Sequence, residues 1–378
     1  MDKINIGITI QISKPTESFF TNGIRQNAII MKDLYEKIDF VNKVYYVNFG
    51  KQKDLSQSPW KKYEENIIQY DEMFEKINVL IISCVTITKE MRDFAKSKGI
   101  KLVHHIMGNE YYSFVENVLF KNEDDTILIK QDGYDSVWIS PHLYEINKDL
   151  FEVIYDCDAH VGAYVWSPIF LEEHVEALYL KGELKSKINV INSNKKKRIA
   201  VFEPNLSFMK NSMFPILIGE KLQKQQPEIF DSLNLFGSDL IKNKKQLISF
   251  VSSLNIQKNK KVFFESRYPI VWSLFNHTDI VLSHTHFCDL NYLYFDAAWL
   301  GFPLVHNSEY IKKIGWYYEK FDADMAVKQI KKISTSFVDE KQLERYIKSS
   351  REVISSYLPT QQKNVESYKK LLEKLYRK

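Results

Sequence analysis

The sequence predicts an α/β protein built of two Rossmann-like domains, and three observations predict it. At 378 residues the chain is about two and a half times the size of an ordinary domain. Short runs rich in β-branched residues alternate with helical segments twice over, as a parallel sheet with crossover helices requires. A polar, basic stretch from Lys181 to Arg198, ending Asn192-Ser-Asn-Lys-Lys-Lys-Arg198, separates the two series. The domains are therefore expected at residues 1–185 and 195–350, joined by that stretch.

The first series opens with a strand over Ile4–Ile12, a polar Ser-Lys-Pro-Thr stretch and a helix over Gly23–Lys37. Strands follow at Lys43–Phe49, Asn78–Val85 and Lys101–Ile106, with a helix at Lys89–Lys98. The run His160–Val165 leads to Trp166-Ser-Pro168, which reads as the return toward a hinge. The second series has strands at Arg198–Glu203, Leu233–Phe236, Lys261–Phe264, Asp279–Ser283 and Pro303–Asn307, with a helix near Met213–Gln223. Two helices end the chain, Glu340–Tyr357 and Gln361–Lys378, with Pro359 as the breaker between them. Val365, Tyr368, Leu372, Leu375 and Tyr376 share one face of the last helix. That face needs a surface, and a return of residues 359–378 to the first domain supplies one. No repeat of 20–50 residues is present, which disfavours a solenoid.

Composition narrows the function. Hydrophobic residues at 44% and charged residues at 26% describe a chain that folds in water. A net charge of +4 is too small over this length to mark a nucleic-acid stripe, so no nucleic-acid partner is expected. The 12 glycines fall well short of the roughly twenty-six that average usage of about 7% gives, so glycine-rich phosphate loops are scarce. Neither first strand is followed by GxGxxG, which disfavours a dinucleotide oxidoreductase. Cys84, Cys157 and Cys288 are scattered and lack CxxC spacing, which fits a reducing cytosol. No signal peptide and no window of about 18 apolar residues can be read, so a cytoplasmic location is expected. The 24 Phe and 22 Tyr, with the modest positive charge, suit peripheral contact with the inner face of a membrane; ordinary core packing is the plain alternative.

Ligands of open α/β sheets bind beyond the carboxyl ends of the strands, so four loops carry the chemistry: Ser13–Arg25, His104–Tyr112, Glu203–Lys210 and Ser283–Ser308. The last, SHTHFCDLNYLYFDAAWLGFPLVHNS, reads as a short helix bearing Asp296, then Gly301 as its cap, then Pro303 opening a strand. Asp296-Ala-Ala-Trp-Leu-Gly-Phe-Pro-Leu-Val resembles the nucleotide-sugar segment of GT-B glycosyltransferases, where an acidic helix residue precedes Gly-x-Pro and a strand. The chain is also similar over nearly its full length to an uncharacterised bacterial family described as possible glycosyltransferases. EPNLSFMK, LNYLYFDAAWLGFPLVHNS, IGWYY, GNEYY and WSP carry that likeness.

The resemblance implies the GT-B arrangement, with the two domains facing each other across a cleft, and a metal-independent glycosyltransferase that moves a sugar from a nucleotide sugar to a hydroxyl on a glycan, lipid-linked or protein acceptor. Bacterial surface glycan or glycoconjugate assembly is the implied setting. A nucleotide-sugar epimerase of the same fold and a non-catalytic carbohydrate- or nucleotide-binding subunit are the alternatives. No cofactor is expected beyond the donor substrate itself. By resemblance Asp296 takes the ribose hydroxyls, with its carboxylate oxygens as acceptors. Asp replaces the commoner Glu there, and Asp289 lies one position too close to Asp296 for the usual acidic pair. Lys210 is the candidate for neutralising the diphosphate, with Arg267 second; a solvated surface lysine is the plain alternative for Lys210. Asn205, His284, Asn291, His306, Asn307 and Ser308 complete the donor-side set as hydrogen-bonding groups. His284 and His286 sit two apart, but nothing completes a ligand set, so no metal site is expected. In the first domain His105 and Glu110 are candidate bases for the acceptor hydroxyl, with Asn109 beside them; packing in the core is the plain alternative for the strand histidines. Asn22 and Gly23 belong to a segment that resembles the loop closing over donor or acceptor in this fold; a plain helix N-terminus is the alternative.

Overall fold

The computed structural model describes residues 2–16, 19, 23–120, 128–192 and 196–377. The chain forms two compact units, Met1–Ser167 with Tyr357–Lys378, and Pro168–Ser356.

The first unit runs β1 (Ile4–Ile10), α1 (Gly23–Tyr35), β2 (Val41–Asn48), β3 (Ile67–Gln69), β4 (Val79–Ile82), α2 (Lys89–Ser97), β5 (Lys101–Ile106), α3 (Glu110–Phe120), β6 (Ser136–Ile139), α4 (Tyr144–Tyr155) and β7 (Ala159–Val161). Its sheet is parallel, in the order β3-β2-β1-β4-β5-β6-β7. Strand β4, VLII, is apolar throughout, as burial on both faces favours, and all four residues of β4 and of β6 are buried.

The second unit runs α5 (Ile169–Leu180), β8 (Lys197–Val201), α6 (Met213–Gln225), β9 (Phe230–Phe236), α7 (Lys245–Ser253), α8 (Asn255–Lys258), β10 (Val262–Glu265), α9 (Ile270–His277), β11 (Ile280–Leu282), α10 (Tyr292–Trp299), β12 (Leu304–His306), β13 (Trp316–Tyr317), α11 (Ala323–Ser336) and α12 (Glu340–Ser355). Its sheet is again parallel, in the order β10-β9-β8-β11-β12-β13. Counted from each unit's own first strand, both sheets share the order 3-2-1-4-5-6, which reverses direction beside the first strand.

The last helix, α13 (Gln362–Tyr376), belongs to the first unit. Tyr368 on its buried face packs edge-on against Tyr35 at 5.6 Å and against Trp138 at 5.7 Å. Its hydroxyl donates to the Ala163 carbonyl at 2.9 Å.

The change of unit falls at Ser167/Pro168, and not within Lys181–Arg198 where the charge and polarity of the sequence put the linker. The reason is local anchoring. Helix α5 is tied into the second unit by the Trp299 indole, which donates to Glu172 at 2.9 Å. Asn189 then hydrogen-bonds Leu300 and Gly301 through its amide and side chain at 2.7 and 3.0 Å. A polar stretch held this way is a connection inside one unit.

Candidate functional site

In the second unit the strand order reverses between β8 and β11, and the loops leaving their carboxyl ends meet there. The loop after β8 runs through Glu203 and Pro204 to Asn205, which adopts a left-handed φ of 55°. Asn tolerates that conformation because its side chain can hydrogen-bond locally. Here the amide donates to the Glu203 carbonyl at 2.8 Å and its oxygen accepts the Ser212 N–H at 2.8 Å. Lys210 closes the loop: its N–H reaches Ser207 at 3.3 Å and its carbonyl accepts Asn205 at 3.2 Å. Lys210 also forms an antiparallel bridge with Thr285, and the His286 N–H donates to the Met209 carbonyl at 2.8 Å. The two loops are thus stitched together by backbone bonds.

Beneath them lies a buried polar network. Glu203 is 0% exposed. Ser283 donates to its Oε1, while Oε2 is buried with no hydrogen-bond partner. Burial pushes this carboxyl up to about 7, against the Ser283 hydrogen bond, the Lys210 charge and the His284 amide, all of which favour the ionised form. Ser283 Oγ also meets the Tyr294 hydroxyl of α10 at 2.9 Å.

The Tyr318 hydroxyl donates to the Ser283 carbonyl at 2.9 Å and lies 3.0 Å from His284 Nδ1. With its one proton spent on the carbonyl, Tyr318 accepts from Nδ1–H, which leaves Nε2 of His284 as a bare lone pair. That atom is buried and has no partner. The ring packs on Phe214 at 4.3 Å, His286 at 4.7 Å and Phe321 at 4.9 Å. Burial, with a smaller push from His286, holds His284 down at about 3, so it is neutral near pH 7.

Of the other donor-side residues, Asn307 is a clamp: its oxygen accepts the Thr285 N–H at 3.0 Å and its amide donates to the Thr285 carbonyl at 2.8 Å. His306 is enclosed, donating from Nε2 to the Ile314 carbonyl at 2.7 Å and accepting the Ser308 N–H at Nδ1 at 3.1 Å. Burial lowers it to about 4. Ser308 donates to the Asp289 carbonyl at 2.6 Å, and Asp289 accepts the Glu309 N–H at 3.2 Å. Asn291 caps α10 by accepting the Leu293 N–H at 3.2 Å. Asp296 lies half-buried in the body of α10. Lys210, His284, Asn307 and Ser308 therefore gather at the reversal point, whereas Arg267 is exposed beyond β10, two strands from β8 and so about 10 Å away across the sheet.

The first-unit residues are spread out. His105 lies in the core on β5, with Nε2 3.3 Å from the Tyr368 hydroxyl, and burial lowers it to about 4. Asn109 caps α3 by accepting the Tyr112 N–H at 3.3 Å. Glu110 opens α3 with its residue surface exposed, yet its carboxyl folds back over Gly108 and desolvation raises it. Gly23 is the first residue of α1, and Asn22 lies outside the described residues. At this unit's own reversal point, between β1 and β4, a cavity of about 90 Å³ is lined by Thr9, Gln11, Arg25 and Cys84 among others. Among the described residues no three His, Cys, Asp or Glu side chains gather as a metal ion would need.

The residues to which sequence reasoning gave no role are Glu203, Ser283 and Tyr294. Glu203 carried a signal: an acid at the end of a β-branched run, followed at once by a proline that stops the strand.

The model of a protein family of unknown function, DUF2827, matches residues 6–372. The chain belongs to this family. No curated protein matches it by sequence. DUF2827 gains its fold relatives from solved structures. A glycosyltransferase from Rickettsia africae is 12% identical, with 99% of this chain and 100% of that one covered at a TM-score of 0.58. An α-glucosyltransferase in complex with UDP and a 13-mer DNA containing a HMU base is 12% identical, with 99% of each chain covered at 0.58. HepE from Anabaena, in complex with UDP and glucose, is 11% identical, with 98% of each chain covered at 0.54. The α/β architecture with two parallel sheets of seven and six strands is thus that of the GT-B glycosyltransferases.

Proposed function

We propose that this DUF2827 protein is a glycosyltransferase whose second unit binds a nucleotide sugar at the β8/β11 reversal point. The observation that carries the reading is the convergence there of Lys210, the two stitched loops and the α10–β12 segment bearing Asp296. Similar structures hold UDP or UDP-glucose, which supports a nucleoside diphosphate as the anchoring group. In this reading Lys210 and loop amides neutralise the leaving diphosphate without a metal, and Asp296 accepts from the ribose hydroxyls. Asn291, Asn307 and Ser308 hold the loops in place and do not bind ligand through their side chains.

The acceptor hydroxyl, on a glycan, a lipid-linked saccharide or a protein, is assigned to the first unit. Glu110 is favoured over His105 as its base, because His105 is enclosed in the core, whereas Glu110 lies at the exposed start of α3 and desolvation raises its carboxyl, as suits a proton acceptor. DNA is named with one similar structure and belongs to that protein's chemistry. The setting in surface glycan assembly, at the cytoplasmic face of a membrane, is part of the same proposal. Among the described residues no helix is long and apolar enough to cross a membrane.

The test is a thermal-shift screen with nucleotides and nucleotide sugars, since a ligand that binds only the folded state raises the melting temperature. A nucleotide diphosphate sugar is expected to stabilise the protein, and Asp296→Ala is expected to lose that shift. Silence across the whole panel with folded protein would sink the donor site. Binding without sugar transfer to any acceptor or to water would favour a non-catalytic subunit.

A further inference from the structure

We infer that Glu203 takes up a proton when a diphosphate binds beside Lys210, so that this buried carboxyl sets the charge of the anion site. The inference rests on the donor reading above and assigns a residue that the resemblance does not. Its ground is geometric. Glu203 is fully buried at the strand reversal, Ser283 holds Oε1, and Oε2 faces no partner. A buried carboxylate with one oxygen unsatisfied is costly, and a proton removes the charge.

The charged and titratable groups around it are few. Lys210, from the loop after β8, is the cation whose charge acts on Glu203. From the loop after β11 come Ser283, the His284 amide, Cys288 and, farther off, Asp289. Tyr294 of α10 and Tyr318 after β13 both feel the Glu203 charge and are held neutral by burial. His284, held low, adds no positive charge near pH 7. Lys210 therefore stands between two anions when a diphosphate arrives, the ligand and Glu203. Ionised Glu203 cancels its charge; protonated Glu203, which titrates near 7, leaves that charge for the ligand. The ligand's own negative charge then draws a proton from solvent onto Glu203. Glu203 is thus a positioning residue that acts through Lys210.

The experiment measures the affinity of inorganic pyrophosphate and of UDP for the whole protein and for Glu203→Gln from pH 6 to pH 8. Glutamine is the neutral isostere, and the probe's own titration is common to both proteins and cancels in their ratio. The wild-type affinity is expected to fall by about tenfold relative to the variant over that span, one proton allowing at most tenfold per pH unit. A flat ratio with both probes bound overturns the inference and leaves the donor site standing. Failure of both probes to bind at pH 6 overturns the inference together with the donor reading. Should Glu203→Gln not fold, carbon NMR of wild-type protein labelled at the glutamate carboxyls reads the same point. One buried carboxyl titrating near neutrality must move upward when pyrophosphate is added, and no movement overturns the inference.

Discussion

A single hydroxyl, that of Tyr318, fastens two neighbouring residues of the loop after β11. It fixes the His284 tautomer through Nδ1 and satisfies the Ser283 carbonyl, both inside the core. Tyr318→Phe keeps the ring and leaves a buried N–H and a buried carbonyl oxygen without a partner. The expected cost is about 1–3 kcal/mol, the penalty for unsatisfied buried groups, read as a lower urea midpoint with an unchanged slope. A variant as stable as the wild type would mean that the bonds add nothing. The same residues show how far the site was legible. Lys210, Asn307 and Ser308 could be placed near a ligand because they follow strands, and they do cluster. What each side chain does could not be read, because Asn307 works on Thr285, 22 residues earlier, and His306 on a loop carbonyl. Glu203 was inside the loop singled out, yet its burial depends on Ser283, 80 residues away, and no local pattern records that.

Elements were legible in proportion to their length and to how locally they are determined. Strands β1, β2 and β5 and helices α1, α12 and α13 show their periods over six residues or more. Strands β3 and β7 have three residues each, and β6 has four; their identity comes from neighbours in the sheet. The α10–β12 turn is the clearest case of a local signal with a tertiary cause. Gly301 has a φ of +85°, and a Cβ there would come within 2.8 Å of both Leu343 and Ile347 of α12. The glycine therefore serves the turn and lets α12 close on α10, where the Tyr346 hydroxyl donates to the Phe302 carbonyl at 3.0 Å. Gly99 has a similar φ of +74° with nothing near its absent Cβ. Gly99→Ala should cost about 1 kcal/mol from backbone strain alone. Gly301→Ala should cost that plus about 1–3 kcal/mol of overpacking. Equal midpoints for the two variants in chemical denaturation would refute the close packing of α12 on this turn.

At the scale of the whole molecule, both units carry their acid sensitivity in the same residue type. His104 and His105 in the first unit and His306 in the second are each lowered to about 4, and His284 to about 3, chiefly by burial. An unfolded histidine titrates near 6.5, so below that pH the unfolded chain binds protons that the folded chain refuses. The stability these groups contribute is complete above about 6.5 and is lost as pH falls through their folded values. Glu203 has the opposite sign. Its folded value near 7 lies above that of an unfolded glutamate, so its contribution is complete below about 4.3 and is lost as pH rises through 7. These four histidines outweigh Glu203 over the window they share, so stability falls toward acid pH, with a maximum between about pH 6 and 7. Urea midpoints measured from pH 4 to pH 9 should fall sharply below pH 6 for both units, which share the histidine mechanism without sharing a residue. They should level off above about pH 7, where Glu203 is ionised in both states, and Glu203→Gln should steepen the acid limb, because the proton that Glu203 keeps in the folded chain between about 4.3 and 7 opposes the histidine slope there. A midpoint that stays constant between pH 6.5 and pH 4.5 would show that the histidines are not held neutral in the folded chain. With them would go the bare Nε2 of His284 and the tautomer that Tyr318 enforces.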